Sequence, residues 1–207
     1  ILMKEWYGWK KFSSEGVTLW FKGYLLDSSV EQLHATAITY SRSLVIISSM
    51  AEWVKELRGH FAIVIETRHW VFASVDKVRS IPLFYVEIGN KIIVGNYALE
   101  LKDQIEPTQD DLDMGAALEI AMSGYTIGRK TLYKGLYQLT AGEFLLYQNN
   151  HLDRLFYYTY SPWNVREREE DDLKKEFSEV MLDTLKQMVK SVDGRQIIIP
   201  LSAGSDS

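Results

Sequence analysis

Residues 57–96 read LRGHFAIVIETRHWVFASVDKVRSIPLFYVEIGNKIIVGN, and this stretch decides the fold class. Aliphatic, β-branched and aromatic residues gather in four short runs, 61–65, 70–75, 83–88 and 91–94, with polar breaks between them. That is the pattern of successive short strands. Gly89-Asn90 separates the last two runs and suits a tight hairpin, because both residue types tolerate positive φ.

The pattern continues on both sides. Residues 18–26 read as a further strand, after which Ser28 or Ser29 can cap a helix running to about Tyr40. Val45, Ile46, Ser49, Met50, Trp53, Val54 and Leu57 fall three and four apart, the spacing of a second amphipathic helix. Both helices are expected on one side of the sheet. Downstream, Asp110, Asp111 and Asp113 open a helix through Met122. Carboxylates favour the positive end of a helix dipole, which is preferred here over metal binding. Residues 142–147 and 152–158 form another hairpin around Gln148-Asn149-Asn150.

After Ser161-Pro162-Trp163 the composition changes. Residues 166–172 are a charge run, read as a solvated helix start. The stripe Leu173, Phe177, Val180, Met181, Leu185, Met188, Val189 and Val192 follows, and Gly194 ends the helix. Residues 196–201 read as a short buried strand leading into Ser202-Ala203-Gly204-Ser205-Asp206-Ser207. The whole is an α+β protein with a boundary near 161–170, giving a first domain over 1–162 and the opening of a second over 163–207.

The 207 residues are 46% hydrophobic with a net charge of −5, enough apolar material for a core and no general attraction to nucleic acid or an anionic membrane. No run reaches the roughly 18 apolar residues of a membrane span. The first residues lack the features of a signal peptide, so a cytoplasmic location is expected. A cysteine count of zero excludes disulfides, thiolate metal sites and a thiol nucleophile within these residues. The four histidines, His34, His60, His69 and His151, have no metal-ligand spacing. The six tryptophans are not interleaved with basic residues and read as core or interface.

A small-residue loop straight after an apolar strand brings backbone N–H groups up to a phosphate. The loop at 202–207 is too short for a Walker motif and has no lysine. It resembles the Ser-Gly-Gly-x-Asp-Ser loop of the N-type ATP pyrophosphatases, with Ala203 in place of the first glycine. The residues before it resemble the asparagine synthetase family. Leu57-x-Gly59-x-Phe61-Ala62 is similar to that family's Leu-x-Gly-x-Phe-Ala. Asp76 followed by Pro82-Leu83-Phe84-Tyr85 is similar to its Arg-Asp…Pro-Leu-Tyr-Tyr, although Val75 replaces the arginine and Arg79 the following glycine. Ile93-Val94-Gly95-Asn96…Leu101 resembles its Phe-Ala-Ser-Glu…Leu, and Thr131-Leu132-Tyr133-x-Gly135-Leu136…Leu139…Gly142 its Thr-Leu-Phe-x-Gly-Ile…Leu-Pro-Pro-Gly-His. The resemblance spans residues 18–207.

It implies an Ntn-hydrolase-like αββα sandwich of two antiparallel sheets, followed by the first helix, strand and loop of an α/β ATP-pyrophosphatase domain. The family's glutaminase uses an N-terminal cysteine, its α-amine and an Asn-Gly-Glu motif. That motif falls here on Lys22-Gly23-Tyr24, and a second ligand-binding aspartate on Arg42. The chain before Lys22 is also about fifty residues short of the family's spacing. A serine or threonine nucleophile would need a newly exposed N-terminus; Ser13, Ser14 and Thr18 are read instead as a polar connection before a strand. The glutaminase is therefore expected to be inactive.

Two functions remain. In the first, an inactive amidotransferase domain supports a synthetase domain, in the same or a parent chain, that adenylates aspartate or a related carboxylate. Ammonia or an amine is then the nucleophile, and β-lactam synthetases are relatives of this kind. The resemblance then gives Leu201, Ser202, Gly204, Ser205, Asp206 and Ser207 to ATP, its pyrophosphate and Mg2+. In the second, the chain is a non-catalytic scaffold or interaction domain. A homodimer stays open in both.

Overall fold

The computed structural model describes residues 1–4, 8–42, 46–163, 165, 167–192 and 194–199. The chain divides into two compact units, residues 1–160 and 161–207. The elements of the first unit are β1 (Lys10–Ser14), β2 (Val17–Leu25), α1 (Val30–Ser41), α2 (Ile47–Glu56), β3 (Gly59–Glu66), β4 (Trp70–Val75), β5 (Phe84–Ile88), β6 (Lys91–Gly95), α3 (Ala98–Ile105), α4 (Met114–Ser123), β7 (Leu136–Gln138), β8 (Glu143–Gln148) and β9 (His151–Phe156). Among the described residues they form a six-stranded sheet ordered β1-β2-β3-β4-β8-β9 and a three-stranded sheet ordered β6-β5-β7. Every pairing of strands is antiparallel.

Strict alternation along the strands gives the large sheet two apolar faces. On one, Leu19 and Phe21 of β2, Phe61, Ile63 and Ile65 of β3, and Phe72 and Phe144 meet Leu33 and Ala37 of α1 and Met50 and Val54 of α2. Both helices thus lie on one side of the sheet, as expected. On the other face Trp20, Ala62, Val64, Ala73 and Leu145 meet Leu83, Tyr85, Val94 and Leu139 around the small sheet. The outer face of that sheet, through Val86 and Leu136, is covered by Leu101 of α3. The order of layers is helix, sheet, sheet, helix.

Local chemistry sets the boundaries. Ser29 caps α1 in a reciprocal capping box with Gln32. The β8–β9 turn is Asn149-Asn150, with φ of 53° and 58°, a two-residue turn of the hairpin type. In the β5–β6 turn only Gly89 takes positive φ, at 57°. The helix expected from the aspartates starts later: residues 109–111 form a 3-10 turn and α4 begins at Met114 behind Asp113. Ser13 and Ser14, expected in a polar connection, belong to β1, and Thr18 lies in β2. The Glu15-Gly16 turn, with φ of 49° and 75°, folds the two strands together, and the Ser13 and Thr18 hydroxyls lie 3.1 Å apart across the hairpin.

In the second unit α5 (Glu170–Val192) carries Glu170, Asp171 and Asp172 in its first turn, which accounts for the charge run. The strand expected at 196–201 does not form over residues 196–199. Ile198 and Ile199 are 79% and 75% exposed, and no strand among the described residues supplies the ladder that an apolar run needs.

Phe72 is fully buried between the rings of Trp53 and Phe144, at centroid distances of 5.7 and 5.5 Å. Phe72→Ala is expected to cost about 3–5 kcal/mol in urea denaturation, and Phe72→Leu less than about 1.5 kcal/mol. Equal losses for the two would contradict this packing.

Candidate functional site

On β2, Lys22 and Tyr24 share the face of Trp20, toward the second sheet, while Gly23 falls on the helix side with Phe21. Gly23 has φ of 112°, and a Cβ there would run into the carbonyl oxygen of His60. Gly59, opposite Leu25, has φ of 142°, and its Cβ would run into the carbonyl oxygen of Tyr24. The β2–β3 ladder therefore closes at this end only with glycine at both positions. The Tyr24 ring lies 5.4 Å from that of His60, whose Nδ1 is hydrogen-bonded to the Ser80 hydroxyl.

Arg42 sits elsewhere. It caps the C-terminus of α1 and pairs at 3.6 Å with Glu15 in the β1–β2 turn, both side chains being exposed. Lys22 is roughly 17 Å further along β2 from Val17, at about 3.3 Å per residue. Lys22, Gly23 and Tyr24 are thus brought together, and Arg42 is not with them. Leu201, Ser202, Gly204, Ser205, Asp206 and Ser207 lie outside the described residues.

Two buried carboxylates organise the loops beside this region. Asp76 follows β4 and accepts from the backbone N–H of Phe61 at 3.0 Å, Val78 at 2.9 Å and Ser80 at 3.1 Å. Its own carbonyl accepts from Gly142 at 3.0 Å. Glu143 accepts from the N–H and hydroxyl of Thr140, each at 2.8 Å, and pairs with Arg129. The Tyr157 hydroxyl donates to the Val75 carbonyl at 2.8 Å, and burial pushes its pKa up, so it stays a donor.

Between these loops and α4 is a cleft of about 510 Å³ lined by Arg79, Phe84, Ile120, Tyr125, Thr126 and Gln138, among others. Arg79 has φ of 58°, a left-handed conformation costing about 1–2 kcal/mol in a residue with a Cβ. Its Nε donates to the Leu139 carbonyl at 2.7 Å and its Nη2 to Gln138 Oε1 at 2.6 Å. The Gln138 amide nitrogen is held in turn by the Gly128 carbonyl at 2.9 Å and Thr126 Oγ1 at 3.1 Å. Partial burial lowers the Arg79 pKa, while the guanidinium stays charged. Among the described residues no carboxylate lies within ion-pair distance of it. Arg79 entered the sequence reading only as a replaced glycine, and Gln138, Arg129 and Glu143 did not enter it.

Among the described residues no group of three or more His, Asp or Glu side chains could hold a metal ion. Two of the three aspartates before α4 have a local task for their carboxylates. Asp111 accepts from the Thr108 N–H and hydroxyl at 2.8 Å, Asp113 accepts from Ala116 N at 2.9 Å, and the Asp110 carbonyl accepts from Lys134. No helix among the described residues is long and apolar enough to cross a membrane.

No family model matches the chain, and no curated protein matches it. Among solved structures it is similar to the glutamine phosphoribosylpyrophosphate (PRPP) amidotransferase from B. subtilis complexed with ADP and GMP. That match has 15% identity and a TM-score of 0.42 over 73% of this chain and 31% of that one. A structure described as the allosteric regulatory enzyme of purine biosynthesis matches at 15% identity and a TM-score of 0.39, again over 73% of this chain and 31% of that one. The chain thus spans under a third of either protein, and neither likeness places it in a family.

Backbone hydrogen bonds hold the carboxyls of Asp111 and Asp113 below the usual aspartate range. A lowered folded pKa gives stability that is present at neutral pH and lost as pH falls from the unfolded value, about 3.9, through the folded one. Asp113→Asn, which keeps a capping side chain, is expected to flatten the fall of Tm on that acid limb relative to the parent. A limb of unchanged slope would contradict the assignment.

Proposed function

We propose that the first unit is a glutamine amidotransferase-type domain of Ntn-hydrolase architecture that does not hydrolyse glutamine, and that it belongs to an asparagine synthetase-like, ATP-dependent amide-forming ligase. The observation that carries the first part is the pair Lys22 and Tyr24 on one face of β2. Where the family resemblance expects an amide and a carboxylate, this chain presents an ammonium and a phenol. A cation there repels the ammonium of glutamine, and the phenol does not offer the countercharge that a carboxylate would. The helix–sheet–sheet–helix layering and the two antiparallel sheets support the architecture.

The ligase part rests on the motif at residues 201–207 and on the order of the segments before it. In this reading those residues hold ATP and Mg2+, a carboxylate such as aspartate is adenylated, and ammonia or an amine attacks it. A C-terminal synthetase domain completes the site. The second reading, a scaffold, draws on α5, which has no buried residue and leaves Phe177 and Val180 66% and 57% exposed.

Incubation with glutamine is expected to release no glutamate above a protein-free control; release above background overturns the inactive-glutaminase assignment. The polypeptide carrying the complete synthetase region is expected to exchange pyrophosphate into ATP only when a carboxylate is added. No exchange with aspartate or any other carboxylate tested removes the ligase reading and leaves the scaffold.

A further inference from the structure

Arg79 is a half-buried cation with no carboxylate at ion-pair distance among the described residues. Its guanidinium has five N–H donors, and the hydrogen bonds to Leu139 and Gln138 use two, both to neutral acceptors. Of the charged groups nearby, Arg129 pairs with Glu143 and Lys130 with Glu119, and the Asp76 carboxylate is taken up by the backbone N–H groups of Phe61, Val78 and Ser80. Removing a cation from water without a paired anion is unfavourable. Here the arginine is also held in a left-handed backbone conformation that glycine adopts without strain. Strain and unpaired charge concentrated in one residue at the head of a cleft are the marks of a position kept for binding.

The rest of the cleft narrows the ligand. Thr126 Oγ1 donates to the Lys130 carbonyl and accepts from Gln138, and Thr131 Oγ1 donates to the Leu136 carbonyl and accepts from Tyr133 N. Both hydroxyls are occupied, so Arg79 is the polar anchor. Phe84, Ile120, Tyr125 and Leu132 supply apolar wall, and about 510 Å³ suits a small molecule. Gln138, fixed on its other side by Gly128 and Thr126, holds the guanidinium through its Oε1.

We propose that this cleft binds a small molecule bearing an oxyanion on an apolar body, its carboxylate or phosphate paired with Arg79 and its body against Phe84, Ile120 and Leu132. The site goes beyond the ligase reading and does not depend on it, since every residue involved lies in the first unit. Arg79 and Gln138 are different residues from Lys22 and Tyr24, so each site is tested with its own variants.

The test is calorimetric titration of the whole protein with benzoate and with inorganic phosphate, at constant ionic strength against chloride. Benzoate is expected to bind, and to bind more tightly than phosphate, because it fills the apolar wall. Phosphate binding in preference to benzoate would assign the oxyanion to a phosphoryl group. Arg79→Gly suits the backbone conformation and is expected to keep or raise Tm while weakening binding at least tenfold. Ile120→Glu places a carboxylate in the cleft wall as an internal competitor and is expected to weaken binding by a similar factor. No heat with either probe, or unchanged affinity in a folded Arg79→Gly protein, overturns the proposal.

Discussion

The carboxylate of Asp76 is the constraint on which the rest of the first unit depends. It gathers the N–H groups of Phe61, Val78 and Ser80, joining the end of β4 to the start of β3 and closing the loop between the two sheets. The Asp76 backbone extends the same junction, donating to the Phe61 carbonyl and accepting from Gly142. One buried residue thus fixes where β3, β4 and β8 begin or end relative to one another. It also sets the conformation of the loop that carries Arg79 and Ser80. Buried backbone donors need partners, and a carboxylate is the side chain able to serve three of them.

Several residues shared with the asparagine synthetase pattern prove to be architectural. Gly59 is needed because a Cβ there would strike the Tyr24 carbonyl, and Gly142, at φ of 69°, because one would strike that of Tyr158. Asp76 is the clamp. None of these residues requires a reaction in order to be retained. Lys22 and Tyr24, which the resemblance sets against glutamine, flank Gly23, whose φ of 112° brings the β2 backbone close against the His60 carbonyl.

Much of the fold is legible in the sequence because burial on both faces leaves a plain signal. β3 and β4, with interiors such as Ile63-Val64-Ile65 and Phe72-Ala73, are apolar runs of strand length, and β8–β9 is bounded by an asparagine pair. β1 escaped notice because its only apolar residue is Phe12 on an otherwise exposed edge strand. β7 is three residues long, and α3 buries only Leu101. Residues 196–199 are the opposite case, an apolar run that resembles a buried strand but pairs with no strand among the described residues. The candidate site divides in the same way. Alternation places Lys22 and Tyr24 together, but the distance to Arg42 depends on how α1 runs back along β2. The cleft depends on a left-handed arginine, and residue type gives no hint of that conformation.

Replacement of Asp76 by alanine, followed by urea denaturation, tests most directly whether this clamp organises the unit. Leaving a buried N–H and two partly buried ones without their charged acceptor is expected to cost about 3 kcal/mol, with amide exchange accelerated at Phe61, Val78 and Ser80 ahead of the strand centres. A variant within about 0.5 kcal/mol of the parent, the range of an ordinary surface substitution, with unchanged exchange at those three amides, would contradict the account.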